Sequence, residues 1–203
     1  MKAIKISKQH LFVLCLFLLF FPIKTQFYNI TFITFDAVLN SGALSDIYTY
    51  NYLGWLIGCQ EILETQKVLG LQFDFFYSVV SNFFFILSII ASIILYKRIH
   101  TKQNFKYMDW ILLAVFSFQL FETLERLLDF IAYPEYFLLE TLSQWISLLK
   151  NFGVLMMAFV LFFKTCNPCM RKQIIMYALP ASIASYILWF LILGPMILPI
   201  ITR

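Results

Sequence analysis

Residues 75–96 read FFYSVVSNFFFILSIIASIILY, a run of 22 residues without a charged side chain. At about 1.5 Å per residue, a helix of this length spans the ~30 Å hydrocarbon core of a bilayer. A helix is also the form a single open segment can take there, because it satisfies its own backbone donors and acceptors. This stretch therefore decides the fold class as an all-α, polytopic membrane bundle.

The rest of the chain agrees. Of its 203 residues, 62% are hydrophobic and 13% charged, with a mean hydropathy of +0.83. A soluble domain has too few polar side chains at that composition to cover its apolar surface. Three further apolar runs follow the first, Phe75–Tyr96: Trp110–Ile131, Phe137–Phe163 and Ile174–Ile200. The expectation is four transmembrane helices in residues 74–203. Pro180, Gly194, Pro195 and Pro199 predict a kinked last helix, since proline removes a backbone donor and crowds the preceding turn.

The connections carry the orientation. KRIHTKQNFKYMD contributes Lys97, Arg98, Lys102 and Lys106, and KTCNPCMRK contributes Lys164, Arg171 and Lys172. AYPEYF, between the second and third runs, has no base and one acid, Glu135. Short loops rich in Lys and Arg stay cytoplasmic, so both basic loops are expected in the cytosol.

The N-terminus has the three-part form of a secretory leader. Lys2, Lys5 and Lys8 precede the apolar run Leu11–Phe21, and Pro22 and Thr25 follow. Residues 1–25 are expected to be a signal peptide or a short signal anchor. Residues 26–73 then form a lumenal segment with a possible interfacial helix. Asn29-Ile30-Thr31 makes Asn29 a candidate glycosylation site there.

FETLERLLDF, residues 121–130, places Glu122, Glu125, Arg126 and Asp129 inside the second run. At helical spacing the four share a stripe about 100° wide. In the third run Glu140, Gln144, Ser147, Lys150 and Asn151 share another. A short turn joins the two helices as an antiparallel pair. The pairing counted from that turn sets Asp129 near Glu140, Arg126 and Glu125 near Gln144, and Glu122 near Ser147. Charges at such depth face a bundle interior and pair, and Glu122 with Arg126 is a natural i,i+4 pair. The acids still outnumber the bases, so a partner subunit, a cation or a lined cavity is implied. Plain interhelical adhesion is the competing account.

Cys166 and Cys169, in CNPC, lie just beyond the third run and suit S-acylation or a thiol pair. His10 and His100 show no ligand spacing to them, so no metal site is expected. The chain has no phosphate-binding loop, dinucleotide fingerprint, His-Glu metal helix or nucleophile elbow. Neither an enzyme nor a cofactor is expected, and nothing points to nucleic acid.

A basic first loop, Trp110 soon after it, Glu122 about three turns on, and a polar-striped next helix with Lys150 together resemble the opening helices of one known family. This is the seven-helix proteins with a lumenal GOLD-like domain, the lung seven-transmembrane receptor-type proteins. The likeness covers residues 75 to about 190. The chain departs from it in having a much shorter lumenal region and three fewer helices. The resemblance implies a receptor- or trafficking-like role in the endomembrane system or plasma membrane. Two alternatives come from the residues themselves. One is an accessory subunit of a larger membrane complex, with the mitochondrial inner membrane and its respiratory assemblies as the alternative location. The other is a small transporter or proton-conducting bundle that depends on Glu122. The expected partners are the lipid bilayer and other membrane protein subunits.

Overall fold

The computed structural model describes residues 7–39, 51–54, 71–100, 104–132 and 142–198, with the side chains of 71–78, 129–130 and 142–144 outside that description. In order, the helices are α1 (Lys8–Leu18), α2 (Phe20–Leu39), α3 (Leu71–Ile99), α4 (Tyr107–Ala132), α5 (Leu142–Phe159), α6 (Pro168–Gln173), α7 (Leu179–Leu188) and α8 (Gly194–Ile197). There is no strand among the described residues. Val79–Ile99, Trp145–Thr165 and Pro168–Ile197 are long and apolar enough to cross a membrane. The pair α1–α2, bent by 50°, makes a fourth candidate if it is one span. Helix α4 is as long, but Asp109, Glu122, Glu125, Arg126 and Asp129 interrupt its apolar character.

The partition of side chains is that of a membrane protein. Ser88, Ser92, Ser182 and Ser185 are buried, while Ile86, Ile90, Ile183 and Ile187 on the same helices are about half exposed. Small hydroxyls let helices approach closely and bond across the contact, and branched apolar side chains face outward where lipid replaces water. The protein is an integral membrane protein, and all its described regular structure is helical.

Chain segments cluster into two compact units, Met1–Phe83 with Met176–Arg203, and Phe84–Ile175. In the first, α1 and α2 pack on α7. Pro22 explains the bend between them. Its missing N–H leaves the carbonyl four residues back without the usual donor, and the helix opens at Leu19. Two of the backbone groups near the break find partners. Leu19 N still reaches Cys15 O at 3.1 Å, and Phe21 N donates to Ser185 Oγ on α7 at 3.2 Å. Where the sequence suggests a leader ending near Thr25, α2 runs unbroken from Phe20 to Leu39. Its inward face carries Phe21, Thr25, Asn29, Phe32 and Asp36, all buried.

Against this face lies a short non-helical piece, Asn51–Gly54. Its polar groups are met by side chains. Asn51 O accepts from Asn29 Nδ2 at 2.6 Å and from Gln26 Nε2 at 3.5 Å. Asn51 Oδ1 accepts from Leu53 N and Gly54 N, each at 2.9 Å. Tyr52 O accepts from Trp189 Nε1 at 2.9 Å. Irregular backbone packed among helices is tolerated where protein groups replace water in this way. Gly54 has φ +70°, and a Cβ there would stand 3.0 Å from Thr25 O.

The expected irregularity of the last span takes the form of two widened, π-helical stretches, Ile174–Ala178 and Trp189–Leu193. Each lies just ahead of a proline, Pro180 and Pro195 respectively. Widening to i→i+5 bonding relieves the clash between a proline ring and the previous turn.

The second unit is built on a stripe of α3, Phe84, Ser88, Ala91, Ser92, Leu95 and Ile99, all buried at spacings of three and four. Ser88 Oγ donates to Val115 O of α4 at 3.1 Å. The α3–α4 turn is closed by Asp109. Its Oδ1 takes Arg98 Nε at 2.6 Å and its Oδ2 takes Lys106 N at 2.9 Å, so one carboxylate caps α4 and ties it to the end of α3. Phe105 and Trp110, both buried, stack obliquely with centroids 4.6 Å apart. Helix α5 and its π-helical continuation Val160–Thr165 are the least covered of the apolar spans.

Candidate functional site: the charged face of α4

The first half of α4 is the better covered: Trp110, Ala114, Phe116, Ser117, Phe118 and Gln119 are buried, although Tyr107, Met108 and Ile111 are 40–53% exposed. The second half is more open. Leu124, Leu127, Leu128 and Ile131 are 39–67% exposed, and Glu125 is exposed among them. Glu122 is half-buried.

Two hydrogen bonds join this half to α5. Arg126 Nη1 donates to Ser147 Oγ at 3.0 Å, and Thr123 Oγ1 donates to Asn151 Oδ1 at 3.1 Å. Arg126, Ser147 and Asn151 of the sequence stripes thus meet, but one helical turn away from the pairing counted through the turn. Thr123, buried and central to the contact, has no place in the charge-based stripe. Its signal was present in the sequence, since Thr123 lies three residues before Arg126 and therefore on a neighbouring face.

Lys150 is half-buried and sits over the Phe85 ring of α3, 5.7 Å from its centroid. Such a contact stabilises an ammonium out of water by about 0.5–2 kcal/mol. No ion pair joins Arg126 to Glu122 or Glu125 among the described residues, and neither glutamate makes a hydrogen bond with one. Glu140 and the side chains of Asp129 and Gln144 lie outside the described residues. The arrangement leaves Arg126 bonded across to α5 and Glu125 facing outward, about 22 Å along the helix from Trp110.

The two cysteines of CNPC have opposite environments. Cys166 is buried, and burial pushes its thiol from 9.0 up to about 11 against the lowering pull of Arg171. Cys169 is exposed at the second position of α6, which Asn167 caps through Met170 N, and its thiol donates to Asn104 Oδ1 at 3.5 Å. A thiolate is the reacting species, so a water-soluble maleimide at pH 8 is expected to label Cys169 at least tenfold faster than Cys166. Peptide mass spectrometry reads the ratio, and equal rates would contradict the burial of Cys166. The fold favours the neutral Cys166 thiol. Its contribution to stability is therefore intact below pH 9 and is lost as pH rises through about 11.

Asn29 is fully buried, with Nδ2 donating to Asn51 O and, at 3.3 Å, to Gln26 Oε1. Among the described residues no group of three or more His, Cys, Asp or Glu stands close enough to hold a metal ion. No protein-family model matches this chain, and no curated protein or solved structure does so either.

Proposed function

We propose that this is a non-enzymatic multi-pass membrane protein that works as a subunit of a larger membrane assembly, docking a basic partner helix on the outer half of α4. The observation that carries this reading is the outward-facing Glu125. Where α4 is taken to cross the membrane, a carboxylate on it costs up to about 2.5–3.5 kcal/mol at the helix centre, less toward the end where Glu125 stands, and is normally paired. Here Arg126 is turned toward Ser147 and Lys150 toward Phe85, so the outward acid calls for a cation from another chain. The surrounding Leu124, Leu127, Leu128 and Ile131 supply the apolar rim that such a contact needs.

The receptor- or trafficking-like reading stands second. It requires a cleaved leader and a lumenal Asn29 open to glycosylation. The amide that would carry the glycan is instead engaged with Asn51 and Gln26.

One experiment separates the two. A photo-crosslinking residue at Leu128, in protein purified from its source membrane, is expected to give one discrete adduct. The crosslinked peptide should come from a membrane segment containing Lys or Arg, and Glu125→Leu should reduce its yield at least fivefold. Adducts to lipid alone, or a yield indifferent to Glu125→Leu, would overturn the docking reading. An adduct to a second copy of this chain would replace the foreign partner with self-association. Intact mass of the same sample reports whether residues 1–25 are retained and Asn29 is unmodified, as this reading expects.

A further inference from the structure

Two loops far apart in sequence meet at one end of the second unit. The contact between Cys169 Sγ and Asn104 Oδ1 brings the α3–α4 connection against the start of α6. The end of α3, the start of α4, the end of the α5 span and the start of α6 therefore share one end of the bundle.

The basic residues at this end fall into two groups. Arg98 is committed to Asp109, and Arg171 donates from Nε to Cys166 O at 2.9 Å and from Nη2 to Phe163 O at 3.4 Å. These two guanidinium groups close helix ends. Lys97, Lys106, Lys164 and Lys172 are different. All four are exposed, and none of their side chains makes a hydrogen bond or ion pair among the described residues. In residues 97–109 and 164–172 the one acid is Asp109, which is fully buried and neutralised by Arg98. The lysines therefore present uncompensated positive charge.

Their placement fixes what they meet. Lys97 and Lys164 lie in the last turns of the spans Val79–Ile99 and Trp145–Thr165, and Lys172 lies in the first turns of Pro168–Ile197. Lys106 immediately precedes α4. Ammonium groups at the ends of membrane spans stand at headgroup depth, and flexible lysine stems let them reach separate phosphates.

We propose that this end of the second unit binds the phosphate groups of anionic phospholipids in the leaflet that it faces. Each lysine contributes about a fivefold preference for an anionic over a zwitterionic surface. The preference is screened by salt, because the groups are exposed.

The test uses the full chain in micelles of a neutral detergent, mixed with equal amounts of phosphatidylserine and phosphatidylcholine. Lipid retained on the protein is read by native mass spectrometry. The wild type is expected to enrich phosphatidylserine at least tenfold. The variant with Lys97→Gln, Lys106→Gln, Lys164→Gln and Lys172→Gln together should lose that enrichment. Lys24→Gln, in the other unit, should keep it. Variants changed only at Lys97 and Lys106, or only at Lys164 and Lys172, should each fall between, and they carry the same test if the fourfold variant does not fold. Undiminished enrichment in the fourfold variant, or in both pairwise variants, overturns the proposal, as does an equal loss in Lys24→Gln. Displacement of the lipid by millimolar inorganic phosphate, beyond that by chloride at the same ionic strength, would assign the site to a soluble phosphate ligand instead.

Discussion

Gly194→Ala is expected to lower the thermal stability of the detergent-solubilised protein sharply, by about 1–3 kcal/mol or more. A Cβ on Gly194 would stand 2.5 Å from Trp189 O, 2.7 Å from Tyr52 Cδ2 and 2.8 Å from Tyr52 Cβ. The Tyr52 ring can rotate, but Tyr52 Cβ and Trp189 O are fixed by backbone. Relief therefore requires moving Asn51–Gly54 or the π-helical stretch Trp189–Leu193. Displacing the first would break the bonds from Asn29 to Asn51 O and from Trp189 Nε1 to Tyr52 O. It would also leave those carbonyls without their donors, and Asn51 is fully buried. Gly153 is the control, because a Cβ there meets nothing within 4 Å. In a helix, alanine at that position should be neutral or stabilising by up to about 1 kcal/mol. Unfolding followed by tryptophan fluorescence in one detergent compares the two. Equal midpoints for Gly194→Ala and Gly153→Ala would show that the 51–54 segment does not pack on the last helix.

That close approach was invisible in the sequence, and the reason is general to membrane folds. Hydropathy measures what lipid sees, and so it identified the all-helical membrane class from residues 75–96 and the apolar runs beyond them. It measures inner faces poorly. Residues 1–25 read as a leader and 26–73 as a lumenal segment, and hydropathy gives no sign that Thr25, Asn29 and Asp36 lie buried along one helix face. A polar inner face and a lumenal loop have similar composition, and only tertiary packing separates them. Prolines were more legible, because a missing N–H acts on its own helix. Pro22 accounts for a bend and Pro180 and Pro195 for π-helical widening without reference to any neighbour.

The candidate site was half legible for a related reason. Helical angles depend only on one chain segment, so the facing of Arg126, Ser147 and Asn151 followed from spacing. Register between two helices depends on where each one ends. Arg126 meets Ser147 rather than the position one turn nearer the connection, and no residue in the runs themselves encodes that offset. Thr123 escaped because charge marked the stripe, whereas the contact with Asn151 is made by a hydroxyl.

Arg98→Ala is expected to destabilise the protein more than Asp109→Asn, although both remove the same ion pair. The two partners differ in burial, with the Arg98 side chain 37% exposed and that of Asp109 at 0%. Removing the arginine takes away the cation that faces Oδ1 of a fully buried carboxylate. Breaking a buried pair from that side costs about 3–5 kcal/mol, and water reaching the space vacated by a partly exposed Arg98 should reduce it to about 2–3 kcal/mol. Asp109→Asn removes the charge along with the pair. Its side-chain oxygen can still accept from Lys106 N, and Arg98 can turn to water, so about 1 kcal/mol is expected. The double variant supplies the decisive comparison. Adding Asp109→Asn to Arg98→Ala should recover stability, because it removes the buried charge that the first substitution deprived of Arg98. Thermal midpoints of the three variants in the same detergent measure this, and a double variant less stable than Arg98→Ala alone would refute the asymmetry. The same set bears on the lysine-rich end. Asp109 holds the start of α4 to the end of α3, and thereby sets where Lys97 and Lys106 stand. Arg98→Ala, with its charge-bearing lysines intact, should therefore weaken phosphatidylserine enrichment in proportion to how far it loosens this turn.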